Sequence, residues 1–156
     1  MRFLFYDRIL EMELGKRAVA TKAISIGDEF LWEHYSRRPI MPPTLVLECM
    51  TQVGGWLYIA TKEFGISIVL ALMQGVKVHG HARPGDTIRI ETWLSYEHRE
   101  GATMRAEAHV DGRPVMSAER LVFACRPLKE PDHIRRSREM FGYLSGGYEL
   151  NEGVRL

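Results

Sequence analysis

The feature that most constrains this chain is the run from Thr44 to Thr61, TLVLECMTQVGGWLYIAT, which is apolar nearly all round a helical wheel. A helix without a polar face has to be enclosed by other elements rather than laid on a surface. It opens at Pro42-Pro43-Thr44, where proline suits the first helical turn because its missing N–H would have no intrahelical acceptor there anyway. Lys62-Glu63 and Gly65 end it. The run is marginal for a membrane span of roughly 20 residues, and Glu48, Gln52 and the Gly54-Gly55 pair break its apolar surface. It reads as the central helix of a soluble fold, with no membrane partner.

The segments around it carry strand periodicity. Ile88, Ile90, Thr92, Leu94 and Tyr96 share one parity and Thr87, Arg89, Glu91, Trp93 and Ser95 the other, the period-two signature of a half-buried strand. Met104, Ala106, Ala108 and Val110 repeat the pattern. Asp111-Gly112 supplies a hairpin turn whose two central positions need positive φ, and Val115 to Ala124 forms the returning strand. Arg83-Pro84-Gly85-Asp86 reads as a turn between a strand at Val76–His81 and the first long one. Lys16 to Ile26 predicts a strand before the turn at Gly27-Asp28. Phe30 to Pro43, with Pro39 and Pro42 biasing their predecessors away from helix, predicts a structured loop. The sum is an α+β architecture: one strand, a long buried helix, then an antiparallel meander of about four strands wound on that helix.

A chain of 156 residues is one ordinary domain. Its net charge of +1 gives no bulk attraction to nucleic acid. The N-terminal MRFLFYDR has too short an apolar run for a signal peptide, which predicts a cytoplasmic protein. Cys49 and Cys125 stand far apart with no C-x-x-C pattern and read as buried small hydrophobes. Beyond Pro127 the character changes: His133 to Leu144 predicts a short basic helix capped by Asp132 or a neighbour, followed by a loose Ser145-Gly146-Gly147 tail.

Glu48 is the one side chain expected to be charged between Thr44 and Thr61. A buried carboxylate has to find a partner or become neutral. Helix dipole and burial pull its ionisation in opposite directions, which suits a general acid. The alternative is a structural glutamate paired with Arg37 or Arg38. His34, between Trp32-Glu33 and Tyr35, is open to both a structural and a catalytic reading. His79 and His81, at i and i+2, would need a third ligand to hold zinc, and surface residues are the simpler reading; no metal is expected. Trp56 and Tyr58, on a buried helix, read first as core.

The stretch HYSRRPIMPPTLVLECMTQ, from His34 to Gln52, resembles the signature H-F-P-G-x-P-x-M-P-G-x-L-x-x-E-A-M-x-Q of bacterial β-hydroxyacyl-acyl-carrier-protein dehydratases. His34, the aromatic Tyr35, Pro39, Met41-Pro42, Leu45, Glu48, Met50 and Gln52 match in register without a gap. Weaker likeness extends from Asp7-Arg8-Ile9-Leu10 and Gly15-Lys16-Arg17 to the Pro84-Gly85-Asp86 turn. The resemblance implies a hot-dog fold, an antiparallel sheet wrapped around the central helix, over residues 1–126. Residues 127–156 would then be a C-terminal extension of short helix and flexible tail.

It also implies chemistry. His34 would be the base that removes the α-proton and Glu48 the acid that protonates the departing hydroxyl, with Tyr35, Pro43, Thr44 and Gln52 at the substrate. The substrate would arrive on the phosphopantetheine of acyl carrier protein, or as a coenzyme A thioester, with no further cofactor. Each site would join the histidine of one subunit to the glutamate of another in a homodimer or a higher assembly such as a trimer of dimers. Two departures stand out. Ser36-Arg37 replaces the family's Pro-Gly, and Pro43 replaces the glycine whose backbone N–H polarises the thioester carbonyl in the family; proline has no N–H. Thr44 is the nearest substitute donor. The rival readings are a hot-dog acyl thioesterase, in which Glu48 activates water, and a non-catalytic acyl or acyl-carrier binding module.

Overall fold

The computed structural model describes residues 4–34 and 38–146, the side chains of 32–34 excepted. Six strands form one antiparallel sheet: β1 (Arg8–Glu13), β2 (Arg17–Ala23), β3 (Ile66–Val78), β4 (Thr87–His98), β5 (Gly101–Val110) and β6 (Arg113–Pro127). Between β2 and β3 come α1 (Glu29–His34) and the long α2 (Pro43–Thr61), and α3 (Pro131–Leu144) follows β6. The spatial order is β1-β2-β4-β5-β6-β3. The sheet wraps α2, as a hot-dog fold requires.

Small residues let the helix sit deep. Ala18, Ala20, Ala106, Ala108 and Ala118 are buried on the sheet face beneath α2, which sends Val46, Met50, Val53 and Leu57 into the same core. On the helix itself, a Cβ at Gly54 would stand 3.0 Å from Met104 Sδ, and one at Gly55 2.8 Å from Ile68 Cδ1. The glycine pair is therefore a close-approach device rather than a helix breaker.

Several expectations need correction. Phe30–Pro43 is not loop throughout: its first part is α1, because the prolines restrict only the residues just before them, and the carbonyl of Asp28 accepts the first-turn N–H of Leu31. The strand at Val76–His81 is the end of a longer one that starts at Ile66 and stops before His79. Its near-continuous apolar sequence hides the alternation, and Gly75, at φ 65°, and a register shift at Leu70/Leu72 distort it further. Nor does β3 neighbour β4. It crosses to the far edge and pairs with β6, so only β4-β5-β6 form the meander. Tyr96 does not share the buried parity, because a bulge after Leu94 turns it outward, where it is 64% exposed. Asp111 and Gly112, at φ 50° and 75°, make the hairpin turn as expected.

α3 starts at Pro131 with Glu130, not Asp132, at its cap; Asp132 pairs with Arg135 at 3.1 Å instead. Its Phe141 is fully buried, with ring centroids 5.7 Å from Trp56 and 5.4 Å from Phe64. The tail beyond Gly146 lies outside the described residues.

Candidate active site

Pro42 caps α2 and Pro43 is its first residue. The carbonyl of Pro42 accepts from Leu45 N–H (2.9 Å) and Val46 N–H (3.2 Å), so the first turn is closed. Among the described residues nothing accepts from Thr44 N–H, which leaves it as the first donor at this helix end. Thr44 is exposed, and Glu48 and Gln52 are half-buried. At i, i+4 and i+8 these three line one row of the helix, away from the sheet.

Glu48 is held by its own helix. Gln52 Nε2 donates to Glu48 Oε1 at 2.7 Å, and the orientation of that amide is set by Phe5, whose backbone N–H donates to Gln52 Oε1 at 3.1 Å. The Thr51 hydroxyl lies 2.9 Å from the Glu48 carbonyl oxygen and 3.3 Å from Oε2. Carrying one proton, it serves either oxygen but not both. Oε1 is thus fixed and Oε2 is the freer carboxylate oxygen. Among the described residues no arginine joins this network, so the alternative pairing with Arg38 is not formed; Arg37 lies outside the described residues. Thr51 and the Phe5 N–H were not picked out from the sequence. The first could have been found from its i+3 spacing to Glu48; the second has no local signal.

The backbone of His34 ends α1, while its side chain and the whole of Tyr35 lie outside the described residues. Beside Glu48, Cys49 is buried and donates to the Phe5 carbonyl at 2.6 Å, and burial pushes its thiol up to about 12. A thiol that stays protonated there is packing, not a nucleophile. Cys125 is only half-buried, 3.5 Å from the Tyr58 hydroxyl. Tyr58 itself is fully buried core. His79 has left the strand and its Nε2 sits 2.8 Å from Ser117 Oγ. Among the described residues no group of three His, Cys, Asp or Glu side chains could hold a metal ion.

A family model for a FabA-like domain matches residues 1–119. The 3-hydroxyacyl-[acyl-carrier-protein] dehydratase FabZ of Thermomicrobium roseum is 33% identical over 137 residues, covering 87% of this chain and 89% of that protein. The FabZ of Roseiflexus sp. (strain RS-1) is 37% identical over 123 residues, covering 78% and 85%. In three dimensions, smu.793 from Streptococcus mutans UA159, solved bound to acetyl CoA, superimposes with a TM-score of 0.66 at 15% identity, covering 83% of this chain and 95% of that one. At that identity the likeness speaks for the fold alone. The match of sequence along the region that builds α2 and its sheet settles the kinship: the chain belongs to the FabA-like family of β-hydroxyacyl-acyl-carrier-protein dehydratases.

Proposed function

We propose that the protein dehydrates a β-hydroxyacyl thioester, borne on the phosphopantetheine of acyl carrier protein, to the trans-2-enoyl thioester in fatty-acid or related acyl-chain synthesis. The observation that carries this reading is Glu48, a carboxyl group held through Oε1 by Gln52 on the more open row of the central helix. His34 removes the α-proton, Glu48 Oε2 gives its proton to the β-hydroxyl, which leaves as water, and the electron pair of the broken C–H bond forms the double bond. Thr51 favours this by turning to the Glu48 carbonyl, leaving Oε2 free to hold the transferred proton. Negative charge that builds on the thioester oxygen needs a donor. Pro43 has none, and the unengaged N–H of Thr44 takes its place, while Tyr35 and Gln52 flank the acyl group. The reaction needs no cofactor of its own.

A second copy completes the site. β3 is an edge strand whose Val69, Leu72, Met73, Val76 and Val78 are exposed, a surface suited to edge-to-edge pairing with another β3. Such pairing would join two sheets and bring the His34 of one copy toward the Glu48 of the other, in a dimer or an assembly of dimers. No helix among the described residues is long and apolar enough to cross a membrane.

The test follows enoyl product and free thiol together from a β-hydroxyacyl carrier-protein thioester. Wild type should form enoyl product, His34→Ala and Glu48→Gln should lose it, and Pro43→Gly should be faster because it restores an amide donor. Free thiol without enoyl product would make the protein a thioesterase. Carrier binding without either product would make it a binding module.

A further inference from the structure

Beside the chain that leads into α2 lies a cavity of about 670 Å³ lined by the polar Arg38, His81 and Arg83 and by the apolar Ile26, Pro39, Ile40 and Pro84. Its two walls come from distant parts of the chain and are tied by one bond, Met41 N–H to the Ala82 carbonyl at 2.9 Å. The turn that bears Arg83 is fixed independently. Asp86 N–H donates to the Arg83 carbonyl, Gly85 N–H to the Ile24 carbonyl, and Gly85 adopts φ 95°.

Several other arginines meet acids, Arg17 with Glu11 and Glu91, Arg113 with Asp111 and Arg135 with Asp132, while Arg120 and Arg126 meet the neutral Gln74 and Ser67. Among the described residues neither Arg38 nor Arg83 has an ion-pair partner. The nearby carboxylate of Asp86 is engaged by the backbone N–H of Arg83 at 2.8 Å rather than by its guanidinium. Two free guanidiniums over an apolar floor fit an anion attached to a branched aliphatic chain. Ile26, an aliphatic side chain 64% exposed, has no packing role of its own and would supply that floor.

We propose that Arg38 and Arg83 bind the phosphate at the head of the substrate's pantetheine arm, with Ile26 and Ile40 against its dimethyl-bearing carbon. This rests on the acyl-thioester reading of the Glu48 site and adds to it the groove by which the substrate's arm is anchored. The same phosphate chemistry arrives from two sources, the carrier protein's phosphodiester and the diphosphate of coenzyme A. Arg38 leads through Pro39 to Pro42 directly into α2, so the arm would enter at the helix end that carries Thr44 and Glu48.

The test compares β-hydroxyacyl thioesters of carrier protein, coenzyme A and N-acetylcysteamine, the last without phosphate, on wild type, Arg38→Gln, Arg83→Gln and the double variant. Each single change should lower kcat/KM for both phosphate-bearing substrates by roughly 10- to 100-fold relative to the N-acetylcysteamine thioester. Phosphopantetheine should also bind wild type at least tenfold more tightly than pantetheine, a preference the double variant loses. That binding arm needs no turnover, so it stands even if the protein dehydrates nothing. A fall with the carrier-protein substrate alone would overturn the phosphate site in favour of a contact with the carrier's own surface. Equal falls on all three substrates, or no phosphate preference in wild type, would overturn it as well.

Discussion

From Val53 to Ala60, α2 is closed in on most sides: Gly54 and Gly55 bring it against Met104, Phe123 and Ile68, and Phe141 of α3 covers Trp56. From Pro43 to Gln52 the same helix keeps a row more open, and on that row stand Thr44, Glu48 and Gln52, the last two joined by a hydrogen bond. Both halves have nearly the same apolar composition. What separates them is the partner: Met104, Phe123, Ile68 and a covering helix on one half, the Phe5 backbone donor and a more open face on the other. Function here occupies the stretch of core that the chain leaves unfinished.

The comparison can be broken most sharply at Glu48. Glu48→Gln preserves shape and the Gln52 contact but cannot give up a proton, so kcat should fall by roughly 10²–10⁴ while the thermal midpoint stays close to wild type. A loss of folding of similar weight would show that the open row is structural after all. At the sealed end, Phe141→Ala should show the reverse, destabilising the protein by about 3–5 kcal/mol in denaturant melts with little change in kcat for the protein that remains folded. Gln52→Ala should fall between them. It frees Glu48 Oε1 and the Phe5 N–H, and kcat should drop about tenfold with KM little altered, measured by steady-state kinetics.

Cys49 gives the smallest effect. Its thiol ionises near 12 when folded and near 8.5 when exposed, so above about pH 9 the unfolded state releases a proton that the native state keeps. Stability should therefore decline as pH rises from about 9 toward 12, and Cys49→Ala should flatten that decline. Iodoacetamide at pH 8 should spare Cys49 until the protein is unfolded, by mass spectrometry of the labelled peptide.

How far the sequence speaks follows from the range of each interaction. α2 was legible because both signals that define it are local, proline at its first turn and an apolar run with one carboxylate. The β4-β5-β6 meander was legible from alternation and the Asp111-Gly112 turn. β3 was not, because an edge strand with exposed apolar residues has no alternation, and its crossing to β6 is a property of the whole sheet. Tyr96 misled for a kindred reason: one bulge residue inverts every parity beyond it. In the site, Glu48 was marked by its isolation and the dehydratase signature, whereas the Phe5 N–H that orients Gln52 comes from 47 residues away and leaves no trace in the pattern.

The alanines beneath α2 have a consequence for anyone wishing to change what this protein accepts. Ala18, Ala20, Ala106 and Ala108 are fully buried in the core beneath the helix, so larger side chains there would have to displace it. On the acyl-thioester reading, chain length is then gauged on the open row of Thr44, Glu48 and Gln52. A library that varies the alanine floor would mostly harvest unfolded clones, while one that varies the open row would sample substrate preference on an intact scaffold.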